Sequence, residues 1–204
     1  MISYALPPGL TLSKFKDGSG EWPWFNGKPI RSVSRILDRI WPMPPGLPEW
    51  YLTRGKLVHH ATTLIDKGTL DWETVDERIK PFLDAYQSFV DTAHPEIEAM
   101  ELNVVHTSLR YGGRLDRVYR FPSHSRLVLA DIKTGLGTDD RYWCQCAALA
   151  MALDESNVND YDLALVNLDK NGKPHYTEAP HPGSWVNRWR EILEKDAALP
   201  KRLG

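Results

Sequence analysis

Cysteine is scarce in this chain, with two residues among 204, Cys144 and Cys146. Two positions apart on a helix, they point to different sides and do not readily form a disulfide. Two thiolates are also too few for a four-cysteine zinc site or an iron–sulfur cluster. The scarcity fits a reducing compartment. Long apolar runs are missing as well. No stretch reaches about 18 apolar residues, and the opening MISYALPPGLTLSKFKDGSGEW holds no apolar core of a signal peptide. The expectation is a cytoplasmic protein with no membrane span. Net positive charge is absent too: the formal charge is −2. No global cationic field therefore draws nucleic acid, and any such binding has to use a local patch.

Apolar residues make up 42% and charged residues 25% of the chain, an ordinary soluble balance that excludes bulk disorder. The length suits a single domain with a sizeable core. Charge is unevenly placed. Between residues 101 and 135, Arg110, Arg114, Arg117, Arg120, Arg126 and Lys133 face only Glu101, Asp116 and Asp131. Within this region Leu127-Val128-Leu129-Ala130-Asp131-Ile132-Lys133 describes a buried strand with a carboxylate and an ammonium at its exit. Strand side chains alternate faces, so Asp131 and Lys133 point the same way, about 7 Å apart. Two charges at the mouth of an apolar strand are costly unless a partner or a metal neutralises them.

The hydrophobic periods give the order of elements. Residues 1 to 30, rich in Gly, Pro and Trp, have no clear period and predict an irregular lobe. Ser32 to Arg39 predicts a short helix with Ser32 as its N-cap, and the Pro-rich segment 42 to 48 a rigid connection. Thr53 to Lys67 predicts a helix stopped by Gly68. Val75, Ile79, Phe82, Leu83, Tyr86, Phe89 and Val90 give a stronger helical stripe, begun anew or kinked at Pro81. The period then becomes extended. Leu102 to Arg110 and Arg114 to Phe121 predict two strands with a turn or bulge at Gly112-Gly113. Residues 127 to 133, apolar on both faces, predict a central strand. A helix from Thr138 or Asp139 to about Leu153 follows. Next come a strand at Tyr161 to Leu168, a hairpin turn at Asp169 to Lys173, a strand ending near Glu178 and a helix at about Gly183 to Ala198. The predicted fold class is α/β: a central mixed five-stranded sheet flanked by helices. Residues 1–52 form the irregular arm with its short helix and residues 53–204 the core of one overall domain.

Several side chains could carry chemistry. Asp116 can sit beside Asp131 if their strands are neighbours, and a divalent cation would remove the repulsion between the carboxylates. An ion pair with a nearby arginine is the alternative. Beside a cation, the amine of Lys133 can align an attacking water and accept its proton, since positive charge and desolvation lower a lysine's pKa. A salt bridge to Asp131 is the plain alternative. His59 lies off the apolar stripe of its helix and reads as a surface residue or a ligand, with His60 as its rival. Gln145, one amide on an otherwise apolar helix face, points to a specific hydrogen bond or a packing contact. Five tryptophans (Trp22, Trp24, Trp41, Trp50, Trp72) fall in the first 72 residues, either to stack on unpaired bases or to pack a lobe onto the core.

Taken in order, Gly55-x-x-Val58-His59, Gly113-x-Leu115-Asp116, Asp131-Ile132-Lys133 and Gln145 resemble the motifs of the PD-(D/E)XK nuclease superfamily in its RecB-type branch. The resemblance spans residues 32 to 155, including Ser32-Val33-Ser34-Arg35-Ile36-Leu37, similar to a segment upstream in small phage members. It implies a restriction-endonuclease-like core and one or two divalent metals, Mg²⁺ or Mn²⁺, with the imidazole favouring Mn²⁺. By motif position His59, Asp116, Asp131 and the carbonyl of Ile132 are ligands and Lys133 positions the attacking water. Glu101, at the start of the first strand, stands where the family often has an auxiliary acidic ligand. Gln145 is expected to orient substrate, with Arg114, Arg117 and Arg141 also contacting it. Leu149 stands where the family's tyrosine is expected.

The implied function is a metal-dependent deoxyribonuclease, an exonuclease in recombination or repair of phage or mobile-element DNA. The alternative is an inactive nuclease-fold module that binds DNA ends. DNA is the expected partner, and by family analogy so is a strand-annealing protein or a helicase.

Overall fold

The computed structural model describes residues 9–14 and 21–199; residues 1–8, 15–20 and 200–204 lie outside the described part. In the stretch expected to be irregular, β1 (Leu10–Lys14), β2 (Glu21–Phe25) and β3 (Lys28–Pro29) form a small antiparallel sheet. Its second turn is Asn26-Gly27, with φ of 49° and 71°. Positive φ at both central residues is what a two-residue hairpin of matching twist requires, and Asn-Gly supplies it. β4 (Arg31–Ser32) leaves this corner for the main sheet, and α1 (Val33–Ile40) follows it. The Ser32 hydroxyl accepts from the Arg35 N–H at 3.1 Å, the expected cap. Val33, Ile36 and Leu37 of α1 are buried in the main core, so these residues pack with the chain beyond position 52.

α2 (Glu49–Asp66) begins earlier than the predicted Thr53. Tyr51 and Leu52 in its first turn are exposed, and an apolar surface there breaks the one-sided pattern from which helices are read. α3 (Lys80–Ala93) starts with Pro81 in its first turn, where a missing N–H costs nothing. Then come β5 (Glu96–His106), β6 (Tyr111–Arg120), β7 (Leu127–Lys133), α4 (Asp140–Leu153), β8 (Tyr161–Leu168), β9 (Pro174–Glu178) and α5 (Pro182–Ala198).

These strands make a mixed six-stranded sheet: the five expected strands plus the two-residue β4. β5, β6 and β7 run antiparallel in turn, β8 lies parallel to β7 after the α4 crossover, and β9 returns antiparallel. β4 runs parallel to the start of β6. β7 is central, and its residues 128 to 132 are buried on both faces. One face packs Leu129, Leu115 and Val118 against α1, α4 and α5. The other packs Val128, Ala130 and Ile132 against α2 and α3. The result is a three-layer sandwich in which the parallel neighbours β7 and β8 bring their carboxyl-terminal residues to one end.

The connection between β5 and β6 departs from expectation. It turns at 107–110, with Arg110 at φ 56°, while Gly112 and Gly113 lie inside β6. These glycines serve close approach instead of a turn. A Cβ on Gly112 would meet the Val104 carbonyl oxygen at 2.7 Å, and one on Gly113 would meet Leu149 Cδ2 at 2.7 Å. A backbone oxygen in a sheet cannot yield as a leucine methyl can. Gly112→Ala is therefore expected to destabilise the fold by about 1–3 kcal/mol, measured by urea unfolding, and Gly113→Ala by less.

Candidate active site

Backbone pairing of β6 with β7 ends at Arg117 and Ala130. Beyond it a side chain takes over the ladder: Ile132 N–H donates to Asp116 Oδ2 at 2.8 Å. This fixes the Asp116 carboxylate, in mid-β6, beside the exit of β7, buried, with its other oxygen 3.4 Å from His59 Nδ1 of α2. The i, i+4 spacing of helix residues places His59 on the same face as Gly55, toward the strand ends. His60 beside it is exposed.

Glu101 completes the group. It lies in the middle of β5, not at its start, with a left-handed φ of 49°. Such a conformation costs a non-glycine residue about 1–3 kcal/mol and persists where surrounding contacts enforce it. Here Glu101 Oε2 accepts from Arg114 Nε at 2.9 Å and Oε1 from Arg117 Nη1 at 3.2 Å. Ligand-type atoms of His59, Glu101 and Asp116 all lie within 4.8 Å of one another, and among the described residues this is the group able to hold a metal ion. One imidazole and two carboxylates suit a borderline-hard divalent cation.

Asp131 stands outside that trio. Its carboxylate pairs with the Lys133 ammonium on the same face of β7 and accepts from Gln145 Nε2 at 3.0 Å. Lys133 Nζ also donates to Gln145 Oε1 at 3.2 Å and lies 4.7 Å from the Tyr142 ring centre. The salt bridge weighed from the sequence is therefore present, because a lysine two residues along a strand is within reach. Gln145 finds its specific hydrogen bonds, one to each charge. Ile132 aims its N–H, and with it the same strand edge, toward Asp116.

Charge couples these residues. Burial alone would raise Asp116, but His59, Lys133 and the Ile132 N–H hold its carboxyl down to about 2. Burial pushes Asp131 up to about 6 against the pull of Lys133, with Asp116 adding to the rise. Burial disfavours the charged forms of His59 and Lys133, yet both are raised, His59 chiefly by Asp116 and Lys133 by Asp131 and Asp116. The two carboxylates thus favour the charged form of Lys133, whereas the lowering expected from the sequence depends on the positive charge of a cation beside it.

The arginines divide. Arg114 is more than half exposed at the rim. Arg117 is completely buried, bound to Asp66 at 2.6 Å, and cannot touch a substrate. The sequence showed its charge but not the helix covering that face of β6. Arg141 lies on the wall of the adjoining groove, held by Asp38 at 2.7 Å and the Trp41 carbonyl at 2.8 Å. Arg120 and Arg126 pair with Glu98 and Asp162 at the other end of the strands, so the six cations form no single patch.

The groove has a volume of 1060 Å³ and runs past His59, Lys133 and Gln145. Its walls are the Pro-rich segment after α1, the first turns of α2, and the loop before α4. Met43, Tyr51, Leu52 and Leu136 expose apolar surface along it or beside it. Trp41 lines it, whereas Trp50 packs on the core beneath Arg78; the side chain of Trp22 lies outside the described part. Sequence reading missed Tyr142 and these walls. Proline spacing and isolated aromatics mark a connection without saying what it encloses.

No protein-family model matches the chain, and no curated protein sequence matches it. Solved structures do. LHK-Exo, an alkaline exonuclease from Laribacter hongkongensis, overlaps it in a complex with dAMP at TM-score 0.48 and 11% identity, covering 83% of this chain and 86% of that one. A protein of Eubacterium rectale provisionally named an exonuclease overlaps at TM-score 0.49 and 10% identity, covering 82% and 78%. Among the described residues no helix is long and apolar enough to cross a membrane.

Proposed function

We propose that the chain is a divalent-metal-dependent deoxyribonuclease, an exonuclease acting in recombination or repair. The observation that carries this is the convergence of His59, Glu101 and Asp116 from three elements within 4.8 Å, beside the Asp131–Lys133–Gln145 group. His59, Glu101 and Asp116 would hold a Mg²⁺ or Mn²⁺ ion, with Asp131 and the Ile132 carbonyl beside them as the motif resemblance implies. A divalent cation there would acidify water and neutralise charge developing on phosphoryl oxygens.

The protein's own groups supply the rest. The Lys133 ammonium offers donors at the groove edge to align the attacking water and face the phosphate. Gln145 fixes both members of the Asp131–Lys133 pair. Arg114 stands at the rim as a phosphate contact, and the groove receives the strand. Linear and circular DNA incubated with Mn²⁺ or with EDTA test the proposal on a gel. Loss of linear DNA only with Mn²⁺ supports an exonuclease, and cutting of circles an endonuclease. Binding without cutting of either supports the end-binding alternative and overturns the catalytic reading.

Gly55 adds a sharper test. It lies inside α2, yet an added Cβ would meet nothing within 4 Å, and the residue lines the groove one turn before His59. A glycine in a helix interior weakens it by about 0.5–1 kcal/mol relative to alanine. Packing gives no reason for that loss, whereas close approach of a substrate backbone does. Gly55→Ala is expected to raise the melting temperature by about 1–4 °C while raising KM for DNA. A stabilised variant with unchanged KM would remove the substrate from that wall.

A further inference from the structure

From inside the core, Arg117 joins all three residues of the cation-holding group, Glu101 and Asp116 directly and His59 through two threonine hydroxyls. Nη1 donates to Glu101 Oε1 at 3.2 Å and to the Asp116 carbonyl at 2.7 Å. Nη2 donates to the hydroxyls of Thr62 at 3.4 Å and Thr63 at 3.2 Å. Each of those hydroxyls in turn donates to the His59 carbonyl at 3.0 Å. Nε donates to Asp66 at 2.6 Å. Asp66 is itself held by the Tyr86 hydroxyl at 2.9 Å, and Tyr86 meets the Tyr119 hydroxyl at 2.9 Å.

A buried ion network of this kind adds little net stability over a well-packed apolar replacement. Its planar, rigid fork is suited to geometry instead. The acceptors lie on three elements: Glu101 on β5, the Asp116 carbonyl on β6, and Thr62, Thr63 and Asp66 in the last turns of α2. One side chain therefore sets the distance between the helix that carries His59 and the two strands that carry the carboxylates.

We propose that Arg117 is a positioning residue that holds His59, Glu101 and Asp116 at cation-binding separation without touching cation or substrate. This rests on the metal-dependent reading above. Partners one bond removed from ligands set metal affinity by about 10–100-fold.

The test is calorimetric titration of the full chain with Mn²⁺, alongside thermal unfolding. Arg117→Met, which fills similar volume without the fork, is expected to weaken Mn²⁺ binding by about 10–100-fold. In a Glu101→Gln background the same change is expected to cost clearly less, since part of its effect passes through Glu101. A variant destabilised elsewhere to the same melting temperature, such as Leu83→Ala in α3, should bind Mn²⁺ like wild type. Arg117→Lys keeps the charge but not the fork, and is expected to bind about 10-fold more weakly; it serves if Arg117→Met does not fold. Wild-type affinity in the Arg117 variants, or losses that simply add with Glu101→Gln, overturns the positioning role alone. Failure of wild type to bind Mn²⁺ overturns the metal-dependent reading and this inference together.

Discussion

Lys133→Ala is expected to reduce single-turnover cleavage of DNA by about 10²–10⁴-fold, with DNA affinity in fluorescence anisotropy nearly unchanged. The split follows from where the ammonium sits. Its partners are Asp131, Gln145 and the face of Tyr142, all beside the proposed cation site, so little of it is free to grip DNA. Two carboxylates favour its charged form, in which, on the proposed function, it would orient water and steady phosphate charge. Removing it also leaves the buried Asp131 with only the Gln145 amide, and a carboxyl already raised by burial moves further toward its neutral form. Lys133→Arg keeps the charge but not the compact point donor, and should recover only part of the rate. Cleavage at the wild-type rate by Lys133→Ala would end its catalytic assignment.

The second large effect is expected on the cation itself. Asp116→Asn should weaken Mn²⁺ binding in calorimetry by at least about 100-fold and remove cleavage with it. The substitution is chosen because an amide oxygen can still accept from the Ile132 N–H, so the join between β6 and β7 survives. What disappears is the charge that faces His59 and that the site holds ionised down to about 2. Full Mn²⁺ affinity in Asp116→Asn would move the cation away from this group.

Much of this arrangement is legible in the chain because it is local. The apolar run of β7 announces a central strand, and alternation places Asp131 with Lys133. Ser32 caps α1 as its position suggests. The misread parts depend on what lies across a gap. Arg114, Arg117 and Arg120 look alike in sequence, yet α2 covers Arg117 and leaves Arg114 at the rim. Gly112-Gly113 carries the composition of a turn but answers to Val104 and Leu149, far away in the chain. Glu101 sits in mid-strand in a left-handed conformation that no local preference favours, its carboxylate paired with two arginines on β6. The exposed first turn of α2 escapes periodicity because it forms a wall of the groove instead of the core.

The closure of α5 onto α1 bears on the order in which a ribosome delivers this protein. Asp196, fully buried in α5, receives both Arg31 and Arg39 from the start of the main fold. Until residues 182–198 have left the exit tunnel, those guanidiniums lack that carboxylate and the apolar face of α4 lacks Trp189 and Ile192. The strands that bear Glu101, Asp116 and Asp131 precede α5 in the chain, and α5 covers the layer behind them. A substitution that removes the Asp196 carboxylate would leave that layer without the tie between α5 and the start of the main sheet.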